Sequence, residues 1–350
     1  MVHQLPPQAN NPRNSEGAFI RGKRGEIFFA YSRYHGESCH DHAACDVAMI
    51  TSFDEGETWG EARIIAAASD FGVKNVMSVS AVDQQNGDIA FYFLIKENDF
   101  STTLGRAVSS DGESFRAERC AADFPVAYYT VNNDRIVRLA DGRLVAPAAY
   151  LDREENKAEI PCAFRTTCLV SEDDGKSFYK ADFALSAADA VNAAYGLQEP
   201  GLIQRADGSL YLWMRTGYGR QYEAMSAGDV NCFTGLQASM FTSPDSPMQM
   251  KCIDGVTYVV YNPVPHYDGR IEPKGSWGRT PLVIRKSTDG GKSFGPLHII
   301  EDEPTRGYCY PALFRTDDGH LLIAYCRGDH ADGNTLCRTG IAKIKIASIV

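Results

Sequence analysis

Arg279 opens the stretch RTPLVIRKSTDGGKSF, residues 279–294. A guanidinium suits the holding of a carboxylate, because its planar fork donates two parallel N–H bonds and its charge does not titrate away. A lone arginine is more often a surface residue or half of a structural ion pair, so the case depends on whether others converge on it. A second group is the run His40-Asp41-His42. An HxH pair without a third ligand at readable spacing does not make a metal site, and no metal or cofactor is expected.

The second half of the 279–294 stretch shows what positions such residues. Ser287, Asp289, Gly291, Ser293 and Phe294 spell a turn, Ser-x-Asp-x-Gly-x-Ser/Thr-aromatic, that recurs. Copies run from Ser52 to Trp59 and from Ser171 to Phe178. A copy one residue short runs from Ser109 to Phe115, and a decayed one from Ser226 to Phe233. The starts at 52, 109, 171, 226 and 287 are spaced by 57, 62, 55 and 61 residues, so one structural unit repeats. The Asp side chain accepts N–H bonds inside its own turn, Gly supplies a positive φ, and the aromatic is free to pack between units. Earlier turns at Asn86-Gly87, Asp141-Gly142, Asp207-Gly208 and Asp318-Gly319 precede strand-like runs such as DIAFYFLI and HLLIAY. No long stretch has helical periodicity. Residues 183–196 are alanine-rich and read as a short helix or a loop. Five turns plus a closing unit, built from residues 308–350 and the N-terminal strands, predict an all-β, six-bladed β-propeller of four-stranded antiparallel blades. It takes up the whole chain, 1–350, as a single domain.

Composition bounds the partners. Hydrophobic residues make up 44% and charged residues 23%, as expected for a chain with a sizeable core. The net charge of -10 argues against a broad nucleic-acid or anionic-membrane surface. No apolar run is long enough for a membrane span. The start, MVHQLPPQANNPRNSEG, has no basic-then-apolar leader, so a cytoplasmic location is expected unless a leader has been removed. The ten cysteines, with no CxxC pair, read as reduced thiols.

The octets are Asp-boxes (BNR repeats), and their spacing resembles the sialidase (neuraminidase) superfamily, in particular bacterial exo-sialidases. The resemblance covers nearly the whole chain and assigns residues by their offsets. The family has an Arg ten residues before the Asp of a late Asp-box, as Arg279 stands before Asp289. It has a Glu and an Arg sixteen apart around a DG turn, as Glu199 and Arg215 stand around Asp207-Gly208. Its nucleophilic Tyr precedes the Gly of a late DG turn by nine, as Tyr310 precedes Gly319. Its acid/base Asp lies about thirteen residues before the first Asp-box Asp, as Asp41 lies before Asp54. Arg13 in NPRNSEG is the nearest match to its first arginine. Cys326 stands where the family places a Glu that braces this arginine, and Glu16 is the candidate substitute in the substrate-binding set.

The resemblance implies an enzyme that removes a terminal carboxylate-bearing sugar from a glycan with retention. Arg13, Arg215 and Arg279 would hold the carboxylate, Tyr310 activated by Glu199 would attack, and Asp41 would serve as acid and base. A phenol needs such a base, because its ordinary pKa is about 10. It also avoids the repulsion an anionic attacker would meet at a carboxylated anomeric carbon, and Tyr nucleophiles are a recognised exception among glycosidases. Rival residues are Tyr308, two positions from Tyr310, and Asp46, near Asp41. By position alone, Asn132–Arg135 and Thr216–Glu223 are placed at the pocket. Other readings stay open: a glycosidase for a keto-deoxy or uronic acid, a polysaccharide lyase using Tyr with His40, His42 or His266, and a non-catalytic carbohydrate-binding propeller.

Overall fold

A computed structural model of the chain describes residues 1–151, 163–187, 196–267, 271–273 and 275–350. The strands form six sheets in chain order. Blade 1 holds Asn14–Arg21, Ile27–Tyr34, Cys45–Ser52 and Arg63–Ala66. Blade 2 holds Val76–Asp83, Ile89–Asn98, Ser101–Ser109 and Arg116–Arg119. Blade 4 holds Gln198–Gln204, Leu210–Arg215, Arg220–Ser226 and Thr234–Thr242, and blade 5 holds Gln249–Ile253, Val256–Tyr261, Leu282–Ser287 and His298–Glu301. Blade 6 takes Cys309–Arg315, His320–Cys326 and Thr339–Lys345 from the C-terminal end. Its outermost strand, His3–Leu5, comes from the N-terminus and pairs antiparallel with Thr339–Lys345. This is a six-bladed β-propeller closed by both ends of the chain. Among the described residues no helix is long and apolar enough to cross a membrane.

Blade 3 departs from the regular four-strand plan. Its core is Leu144–Leu151, Arg165–Ser171 and Ser177–Lys180, with Ala121–Asp123 added parallel to Ser177–Lys180 at the rim. Its innermost strand is split into Tyr128–Thr130 and Val137–Arg138, both on Leu144–Leu151. The split has a physical cause: Asp134 turns left-handed (φ 56°) and leaves the ladder to accept bonds from Leu313 N at 3.0 Å and Lys251 Nζ at 2.8 Å, across the propeller axis. Of the alanine-rich stretch, residues 188–195 lie outside the described residues, and Leu185 bridges Thr166.

Among the described residues the core is divided into six large wedges, one in each seam between neighbouring blades, with a small seventh cluster of Tyr34, Ala43, Cys45 and Met77. A middle strand is therefore covered on both faces, which is why Ile89–Asn98 reads IAFYFLIKEN instead of alternating. The Asp-box turns lock the rim. In blade 3, Asp173 accepts from Ser171 Oγ at 2.8 Å, Ser177 N at 2.9 Å and Ser177 Oγ at 2.6 Å, while Gly175 N donates to Ser171 Oγ at 2.8 Å. Gly175 lies against blade 2 so closely that a Cβ there would come within 1.9 Å of Tyr92 Oη. The box aromatics Phe178 and Phe294 reach back to Tyr92 and Phe241 of the preceding blades. The Ser226 copy has no Asp to close it, and its serine hydroxyl donates to Asp229 O at 2.5 Å instead. All nine cysteines among the described residues are free thiols.

Candidate active site

The innermost strands carry a repeated distortion at one end of the channel. The register slips between Ser15 and Ala18, Met77 and Ser80, Gln198 and Gly201, and Cys309 and Ala312. Inside each slip one non-glycine residue is left-handed: Glu16 (φ 55°), Ser78 (61°), Glu199 (45°) and Tyr310 (53°). Such β-bulges strain the backbone and re-aim a side chain. All four side chains line one small cleft of about 90 Å³ at the centre.

Tyr310 Oη donates to Glu199 Oε1 at 2.6 Å, across 111 residues of sequence and two blades. Burial, and then the Glu199 carboxylate, push the Tyr310 phenol well above its ordinary value, against the pull of Arg215 and Arg279. The phenol is therefore neutral at neutral pH and has a carboxylate placed to take its proton. Arg215, at the end of its strand in blade 4, donates from Nη1 to the other Glu199 oxygen at 2.8 Å and from Nε to Asp245 at 2.7 Å. Arg279 donates to the Asp245 carbonyl at 3.1 Å and to Cys309 Sγ at 3.3 Å, and among the described residues it forms no ion pair, although the Asp245 and Glu199 carboxylates lie within electrostatic reach. Of five guanidinium N–H groups, Arg215 and Arg279 each have three with no partner among the described residues.

The blade 1 side is more crowded. Arg13 is 1% exposed. It donates to Ser15 Oγ at 2.9 Å, Glu16 at 2.7 Å, Cys39 O at 3.2 Å and Asp41 at 2.5 Å, and it lies 4.4 Å from the centre of the Tyr34 ring. Four of its five donors are engaged. Burial pushes the Glu16 carboxyl up despite Arg13. Asp41 stands at the mouth on the loop after Tyr34, its side chain 56% exposed. Desolvation there works against its ionisation, but Arg13 outweighs it and holds the carboxyl below the usual range.

The chain therefore brings Arg13, Glu16, Asp41, Glu199, Arg215, Arg279 and Tyr310 to one end of the channel. The family model described as "BNR repeat-like domain" matches residues 30–323. The chain belongs to this family. Comparison with curated proteins found no match. Among solved structures, a Hadza microbial sialidase is similar to this BNR-repeat protein with a TM-score of 0.75 at 16% identity, over 97% of this chain and 67% of that one. A Dyadobacter fermentans protein of unknown function gives 0.73 at 17%, over 98% of both chains. The intramolecular trans-sialidase from Ruminococcus gnavus gives 0.72 at 12%, over 100% and 98%. At such identities the likeness shows the fold, which is the sialidase-like propeller.

The rival residues of the BNR-repeat protein have other surroundings. Tyr308 is fully buried against Tyr325 in the seam between blades 5 and 6. Asp46 lies within a strand and accepts from Ala68 N at 2.8 Å. Of Asn132–Arg135, only Asn132 lines the cleft. Asn133 instead donates to Gly17 O at 3.0 Å and Tyr310 O at 3.1 Å, while Asp134 and Arg135 tie blade 3 to Gln249 of blade 5. None of residues 216–223 lines the cleft, because they form a hairpin connection that Thr216 Oγ1 closes on Arg220 O at 2.6 Å. His42 lies beside Asp99, and His266 pairs with Glu272 within electrostatic reach of Asp245.

Sequence reasoning missed Asp245 and Lys96. Asp245 sits between Arg215 and Arg279 with nothing but Ser-Pro-Asp-Ser around it to mark it. Lys96 lines the cleft and donates to the Asp41 carbonyl at 2.6 Å. Its signal was available: a lysine, buried in the structure, directly after the apolar run IAFYFLI.

Proposed function

We propose that the protein is a retaining exo-glycosidase that releases a terminal carboxylate-bearing sugar. The observation that carries this reading is the 2.6 Å bond from Tyr310 to Glu199 beside two guanidinium groups with open donors. Arg215 and Arg279 hold the sugar carboxylate. Glu199 takes the phenolic proton as Tyr310 Oη bonds to the anomeric carbon. The bond to the leaving oxygen breaks, and Asp41 gives that oxygen a proton. Water then attacks the same carbon, Asp41 takes its proton, the bond to Tyr310 breaks, and the phenol regains its proton from Glu199.

Asp41 has a second part in this cycle. In the free protein it occupies Arg13. A substrate carboxylate that reaches the remaining donor of Arg13 competes with Asp41, loosens that ion pair and raises the Asp41 pKa toward the value a proton donor needs. The fold of sialidases, including one whose structure holds oseltamivir carboxylate, supports the choice of an acidic sugar.

The test is a panel of aryl glycosides of sialic acid, keto-deoxy acids and uronic acids, with product stereochemistry followed by proton NMR. Turnover of at least one, with retention, is expected. Inversion, or an unsaturated product with new ultraviolet absorbance, would reject the mechanism, and the latter would favour a lyase.

A further inference from the structure

Lys96 and Asn132 face the same cleft from blades 2 and 3, and the cycle above uses neither. Lys96 is 7% exposed. It lies two residues beyond Leu94 on the same strand face, at the site end of Ile89–Asn98. An ammonium has three donors, and among the described residues only the Asp41 carbonyl accepts from it. It also lies 5.9 Å from the centre of the Tyr128 ring and within electrostatic reach of the Asp41 and Glu16 carboxylates. Asn132 is 5% exposed, and its Oδ1 is buried with no hydrogen-bond partner among the described residues. A buried polar atom without a partner is costly, and most such atoms in folded proteins are satisfied. An open cationic donor and an open amide acceptor thus share one small polar cleft.

We propose that Lys96 and Asn132 form a second recognition point, which binds a hydroxyl on the ring or side chain of the acidic sugar. This rests on the function proposed above. A hydroxyl matches the pair because it accepts from the ammonium and donates to the amide oxygen at once. A second anion matches less well. Arg13 and Lys96 already face Glu16 and Asp41, two cations against two carboxylates. An apolar substituent would leave both groups unpaired. Specificity of this kind is steep, since a site built to bond a hydroxyl rejects the analogue that lacks it. The Arg215–Arg279 side therefore selects for a carboxylate, and the Lys96–Asn132 side selects among sugars that carry one.

The experiment is calorimetric binding of N-acetylneuraminic acid, its 5-hydroxy counterpart and glucuronic acid, then of monodeoxy analogues of the best binder. Wild type, Lys96→Met, Asn132→Leu and Arg279→Met are compared, with thermal melting to confirm that each is folded. Lys96→Met and Asn132→Leu are each expected to weaken binding about tenfold or more. One monodeoxy analogue is expected to bind wild type and Lys96→Met alike. Unchanged binding in both Lys96→Met and Asn132→Leu, with a loss in Arg279→Met, would overturn this inference and leave the carboxylate reading standing. The same loss for every analogue would overturn it too. No binding of any of these sugars to wild type would remove both.

Discussion

Arg13 and Arg279 stand beside residues at the same end of the channel, Arg13 against Glu16 and Asp41 and Arg279 against Asp245 and Cys309, and their surroundings differ. Arg13 is buried against two carboxylates, Glu16 and Asp41, and has one open N–H. Arg279 donates to a carbonyl and a thiol, forms no ion pair among the described residues, and has three N–H groups without a partner there. Arg215 stands between these cases, paired with Glu199 and Asp245 yet with three donors that have no partner among the described residues. Convergence of arginines therefore does not make them equivalent. A guanidinium closed by its own chain's carboxylates chiefly organises the site, and one with open donors is ready for a ligand.

The sharpest way to break this contrast is at Glu199, which serves both Arg215 and Tyr310. Glu199→Gln keeps the shape and removes the proposed base, and kcat is expected to fall about 10²–10⁴-fold, measured on the best glycoside of the panel. A loss below tenfold would mean that Tyr310 does not need this base. Arg13 and Arg279 then separate by the kind of loss. Arg13→Met strands the buried Glu16, and breaking a buried pair costs about 3–5 kcal/mol, so a large drop in urea midpoint is expected. Arg279→Met strands no carboxylate. It is expected to leave the midpoint nearly unchanged and to raise KM roughly 10–100-fold, the scale of one or two charge-assisted bonds. Equal stability losses would erase the distinction.

The smallest effect belongs to the rim, far from either arginine. Backbone N–H groups of Ser114 and Glu113, with the Ser109 hydroxyl, hold the Asp111 carboxyl down at about 2. A depressed carboxylate stabilises the fold fully above its unfolded value of roughly 3.9 and loses that contribution as pH falls toward about 2. The gap in melting temperature between wild type and Asp111→Ala is therefore expected to hold between pH 7 and about pH 5 and to narrow below about pH 4. A gap that widens on acidification would contradict this.

The rim and the centre also differ in how much of them could be read from sequence. An Asp-box closes on itself within eight residues, as Ser287, Asp289, Gly291 and Ser293 do, so its chemistry is written locally. The repeat then fixes the blade count. At the centre the partners come from different blades. Offsets from the turns brought Glu199 and Tyr310 to one point, because each lies a set strand length from its own rim turn. They carried no information on which donors each arginine leaves open. The left-handed residues Glu16, Ser78, Glu199 and Tyr310 are not glycines, so nothing local announces their bulges. Asp245 acts through contacts between blades, with Arg215 and Arg279, which no spacing along one strand encodes. The split inner strand of blade 3 was hidden for the same reason, since Asp134 answers to Leu313 and Lys251.

The most direct test of Tyr310 as nucleophile is to trap it. A fluorinated acidic glycosyl donor slows release of the sugar more than attack on it, so the sugar–enzyme bond accumulates and can be mapped by mass spectrometry of peptides. With the donor whose parent sugar gives the fastest turnover in the glycoside panel, the expected result is one added sugar on Tyr310 in wild type and none in Tyr310→Phe, whose turnover is expected to fall by orders of magnitude. Inactivation with the sugar on another residue, or full turnover by Tyr310→Phe, would contradict it.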